Sequence, residues 1–280
     1  MKNPESKIFE NITIDQIYEA VVRTGQGNEI KPEQFADLYG EAKVREDLEY
    51  VQRREREFAQ SMTPEQGRVL KLATIFESIF HEQAELSDWL GPNATTIKAS
   101  RFDDIKNGVD SIAEFRESET AASYLAMAID VTMSRDVIKK LERIKKEIEQ
   151  GKLATVKYFT SQHTKNIRGE LSGIPRVVIG VDARTIMELG ELRVDKDNHA
   201  LAAHPVQFQI LEEIVSELAL FGRYAARVKQ PSLAAEYEKM YKLVRGILLE
   251  KSKTAAPRRS SKRDEIFRAL QTHLVNILGI

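Results

Sequence analysis

Cysteine is absent from all 280 residues. That excludes disulfides, thiolate nucleophiles and cysteine-held zinc or iron–sulfur centres. No apolar run reaches the roughly eighteen residues of a membrane span. The opening MKNPESKIFENITIDQ lacks the apolar stretch of a signal peptide. An excess of one charge is also missing: 42 basic and 43 acidic side chains leave a formal charge of -1. A histone-like polycation is therefore excluded, whereas a local basic groove is not. These absences make a cytoplasmic location the default expectation, with no membrane partner. What is present is core: 42% of the side chains are hydrophobic, too many for a wholly disordered chain.

Residues 13–24 read as a short helix, and 32–60 as one long charged helix entered through Pro32. Thr63 caps a third helix with Pro64 just inside it. Its core face is expected at Leu70, Ala73, Phe76, Ile79 and Phe80, and Gly91-Pro92-Asn93 ends it. Residues 95–102, 108–115 and 123–132 then read as three strands. A helix over 134–151, capped by Ser134 and ended by Gly151, follows them. Residues 153–161 and 175–182 are further strands. The near-continuous apolar run of the second predicts an interior position in a sheet covered on both faces. Residues 184–191 and most of the chain beyond 204 are helical, with starts marked by Pro205 and Pro231. The basic stretch 251–263 reads as a linker before a last helix. The expected organisation is a helical extension (1–65), an α/β core (66–192), a helical part (193–250), the linker (251–263) and a terminal helix (264–280).

The segment Arg101-Phe102-Asp103-Asp104-Ile105-Lys106-Asn107-Gly108-Val109-Asp110 crowds three aspartates around an expected hairpin turn. Side chains two apart share a strand face, so Asp130 and Thr132 lie opposite the apolar stripe Leu125, Met127, Ile129 and Val131. A carboxylate beside such neighbours needs a partner or a cation. If strands 108–115 and 123–132 pair, Asp110 and Asp130 approach one point, an oxygen-rich site suited to Mg²⁺ or Mn²⁺. The competing reading gives both aspartates ordinary backbone hydrogen bonds. Asp104 is the nearer of the adjacent pair to the turn. Glu77, one residue after Phe76, can aim a third carboxylate from the preceding helix or sit at a solvated boundary. Glu114 alternates with Asp110. Lys139, Lys140 and Lys157 are the candidate cations. The histidines form no HExxH spacing; no phosphate-binding glycine loop precedes Lys152, and Ser134 and Thr160 lack a base.

The order helix, three-strand meander, helix, strand, together with DDIKNGVDSIAEF and AIDVT, resembles the PD-(D/E)xK nuclease superfamily over about residues 66–182. The resemblance implies an α/β restriction-endonuclease-like core with helical N- and C-terminal additions. It matches Asp110 and Asp130 to the family's acids and Glu77 to its helical glutamate. Thr132 stands where the family has lysine; some members carry that cation on the adjacent helix, where Lys139 and Lys140 lie. The expectation is thus a Mg²⁺- or Mn²⁺-dependent nuclease, with DNA ahead of RNA as substrate. The alternative is a nuclease-like module that binds nucleic acid or protein without cutting. The helical regions offer surface for a protein partner or a homo-oligomer.

Overall fold

The computed structural model describes residues 12–25, 29–118, 121–130, 135–164, 167–254 and 263–279. The architecture is mixed α/β. Helix α1 (Ile14–Gly25) precedes a 3₁₀ turn (Pro32–Phe35), the short α2 (Ala36–Tyr39) and the long α3 (Glu41–Ser61). The single helix expected over 32–60 is broken at Gly40, whose φ of 81° lies where a side chain would be strained. Helix α4 (Pro64–Leu86) opens with a full capping box: the Thr63 hydroxyl accepts from Gln66 N, and the Gln66 side chain accepts from Thr63 N. Its buried face is Leu72, Ile75, Phe76, Ile79 and Phe80; Leu70, expected on it, is exposed.

Strands β1 (Ala94–Lys98), β2 (Ser111–Arg116) and β3 (Ala122–Asp130) form the expected antiparallel meander. Helix α5 (Arg135–Glu149) leaves it; Ser134 and Thr132 lie outside the described residues. The strand after α5, β4 (Ala154–Thr160), does not join this sheet. It pairs with β5 (Arg168–Ile174) in a separate two-stranded ribbon. That strand lies in a polar stretch, and five of its seven residues stay at least partly in water. The next strand, β6 (Arg176–Gly180), lies parallel to β3 and completes the order β1-β2-β3-β6. Helices α6 (Ala183–Val194), α7 (Asn198–Ala202), α8 (Val206–Arg227), α9 (Pro231–Thr254) and α10 (Glu265–Leu278) follow.

The apolar run of β6 is fully buried, yet β6 is an edge strand, not the interior strand expected. Helix α8 supplies the missing neighbour. Glu217 accepts from Val178 N at 2.8 Å and Glu213 from Gly180 N at 3.0 Å. Two side chains thus satisfy backbone donors that a further strand would otherwise take. Burial pushes both carboxyls up, Glu217 to about 8. Helix α10 closes the same edge: a side chain at Gly180 would collide with Ile266 and Leu270. The larger core joins α1, α4, β2, β3, α5, β6, α6, α8, α9 and α10. The smaller lies on the other sheet face, among α3, β1, β2, β4 and β5. The N-terminal, central and C-terminal segments therefore share cores and do not pack as separate units.

Glu217→Ala orphans the Val178 amide and is expected to cost about 1–3 kcal/mol in urea unfolding. Glu217→Gln keeps an acceptor and should cost less. Equal losses for the two variants would show that the edge hydrogen bond contributes nothing.

Candidate functional site

The aspartate-rich segment is not a hairpin turn. Arg101 and Phe102 are helical and Asp103–Asn107 forms a π turn, closed by Gly108 at φ 63°. The turn is fixed from within by Asp103, which is fully buried. Its carboxylate accepts from Ser100 Oγ (2.7 Å), Asn107 Nδ2 (2.6 Å), Lys157 N (2.7 Å) and Tyr158 N (3.1 Å). Burial raises its pKa while these donors pull it down. On the far side, Arg176 donates to Asn107 O (2.8 Å) and Arg143 to Lys106 O (3.3 Å). Glu147 faces both guanidiniums, at 3.5 and 3.2 Å.

A helical turn separates its aspartates differently from an extended one. Asp103 goes inward, and Asp104 goes to the site side, where it hydrogen-bonds Asp110 and pairs with Arg101. A contact between two carboxyls needs a proton on one of them or a cation between them. Burial and then the Asp110 charge push Asp104 up to about 7, against the pull of Arg101. Glu77 on α4 is the third member. Burial, then Asp110, push it up to about 8, while Lys98 and Lys140 pull it down. Lys98 Nζ stands 3.9 Å from the Glu77 carboxylate. Asp110 N donates to Met127 O (3.0 Å), three residues before Asp130 at the end of β3. The Asp130 side chain lies outside the described part.

Glu77, Asp104 and Asp110 therefore lie within electrostatic reach of one another, with Lys140 in reach of Glu77 and Lys98 in contact range of it. Lys157 does not join them. That ammonium pairs with Asp47 and lies 5.0–5.4 Å from the rings of Tyr39, Phe102 and Tyr158. Lys139 lines a surface groove on α5. Glu114 points away into the smaller core, where Ser161 and Gln162 N bond it and so anchor a loop. His81 is structural, held neutral near pKa 4 by burial between Thr96 and Ser111. The sequence reading passed over Lys98. Its alternation with Thr96 on β1 faces it toward α4, a signal that needed the strand's end to be known. Nearness to the turn singled out Asp104 over Asp103, but nothing local showed that Asp103 is the buried one.

Among the described residues, no three His, Cys, Asp or Glu side chains are gathered tightly enough to hold an ion by themselves. Asp104 and Asp110 supply facing carboxylate oxygens, the donor type that a hard cation such as Mg²⁺ or Mn²⁺ takes together with water and substrate phosphate. No family model, curated protein or solved structure matches this chain.

The raised carboxyls set a pH dependence. The folded chain binds more protons here than the unfolded chain between about pH 4.5 and about 8, so stability falls as pH rises through that window. In chelator, Glu77→Gln and Asp104→Asn should each raise the thermal midpoint at pH 8 by a few degrees, about 1 kcal/mol. The gain should shrink at pH 5. A loss at both pH values would contradict the clustered charge.

Proposed function

We propose that the chain is a divalent-metal phosphodiesterase acting on nucleic acid, with Asp104 and Asp110 holding the cation and Glu77 beside them. The observation that carries the reading is the like-charged pair Asp104–Asp110 at one end of the sheet, with Glu77 facing it. Carboxylates are held there at an electrostatic cost that a cation relieves. Support also comes from the order α4, β1-β2-β3 meander, α5 and the parallel strand β6, although the separate ribbon β4–β5 intervenes between α5 and β6; apart from that ribbon it resembles the order of a restriction-endonuclease-like core.

When bound, Mg²⁺ or Mn²⁺ supplies charge neutralisation at the phosphoryl oxygens and an acidified water. Glu77, the carboxyl facing the pair, would take the proton of the attacking water once the cation's charge offsets that of Asp104 and Asp110 and favours its ionised form. The water oxygen bonds phosphorus in line, the bond to the leaving sugar oxygen breaks, and that oxygen gains a proton from solvent. Lys98 and Lys140 lie within electrostatic reach of Glu77. They supply the positive charge that Thr132 does not, and they steady the developing anion. The alternative, a module that binds without cutting, is favoured by Thr132 at the position matched to the superfamily's lysine and by the lack, among the described residues, of three acidic or histidine side chains gathered around one point.

Purified protein with Mn²⁺ should cleave DNA. Asp110→Asn should lower the rate at least about a hundredfold with the fold retained by circular dichroism. Absence of Mn²⁺-dependent cleavage of single-stranded DNA, duplex DNA and RNA would leave the binding module as the reading.

A further inference from the structure

A band of cations crosses the surface beside the carboxylates. On α5, Lys139, Arg143 and Lys146 recur at helical spacing and line one open groove of about 420 Å³. Arg143 reaches across to the Lys106 carbonyl on the π turn, 3.3 Å away. The exposed Lys106 ammonium lies 5.1 Å over the Tyr50 ring, and the Arg53 guanidinium is 5.6 Å from that ring. The band therefore continues from α5 over the π turn onto α3, passing two residues from Asp104. Of the acids in the groove, Glu147 pairs with Arg143 and with the buried Arg176, so the excess positive charge there comes from Lys139 and Lys146 against Glu142. The whole chain has a net charge of only -1, so this concentration of cations is local.

We propose that this band is the path of a nucleic-acid backbone, with Arg53, Lys106, Arg143, Lys139 and Lys146 facing successive phosphates. A polyanion with regularly spaced charge fits a row of cations. Lys139 to Lys146 spans about 10 Å of helix axis, so α5 alone serves more than one phosphate. Tyr50 stands in the row as an aromatic surface, a feature of single-strand grooves. The inference rests on the phosphodiester reading for the direction of the path, yet binding is measurable without cleavage.

The test is fluorescence anisotropy of the full-length protein with a fluorescein-labelled mixed-sequence DNA oligonucleotide, single-stranded and duplex in separate arms, in chelator. Affinity should fall linearly with log salt concentration. Lys106→Ala with Lys146→Ala should make that slope shallower by about 2. Lys239→Ala with Lys242→Ala, on the remote α9, should leave it unchanged. An unchanged slope in the first double variant, or no binding by the wild type in either arm, overturns the band. Salt-dependent binding that the first double variant weakens, with no Mn²⁺-dependent cleavage, upholds the band and removes the enzymatic reading.

Discussion

Asp103 puts a carboxylate in the protein interior and gives it four donors, two from its own turn and two from backbone amides of β4. Taking a charge out of water is costly unless every lone pair is matched. The turn therefore has few alternative shapes once β4 is docked. Two consequences spread from that constraint. The π turn, instead of a flat hairpin, rotates Asp104 away from Asp103 and toward Asp110. It also turns the Lys106 and Asn107 carbonyls toward Arg143 and Arg176. Both sheets and α5 are thereby tied to one five-residue segment.

The same physics recurs along the edge of β6 with different components. Glu213 and Glu217 are buried acids that accept from the open edge of β6, as Asp103 accepts from β4. In both places a side-chain carboxyl does the work of a strand. At the candidate site the arrangement differs: carboxyls face one another instead of backbone amides, and burial together with the Asp110 charge raises Glu77 and Asp104.

Much of this was legible in the residues. The Thr63–Gln66 cap, the β2–β3 pairing, the helix after it and the Pro205 and Pro231 helix starts all follow from local patterns. So did the nomination of Glu77, Asp104 and Asp110. Other features depended on partners distant in sequence. The segment Asp103-Asp104-Ile105-Lys106-Asn107-Gly108 has the composition of a hairpin turn, and only the amides of Lys157 and Tyr158 select the helical form. The apolar run of β6 reads as interior because sequence shows burial and not what does the burying. Lys157 looked like a catalytic cation until Asp47, 110 residues earlier, was seen to engage it. Lys98 had no local signature.

The most direct measurement is anomalous X-ray scattering from a crystal of the full-length protein soaked in Mn²⁺. The account predicts a peak in contact with Asp110 and with Asp104 or Glu77, abolished in Asp110→Asn. No peak between these carboxylates at saturating Mn²⁺, with the π turn and Asp103 as described, would contradict it.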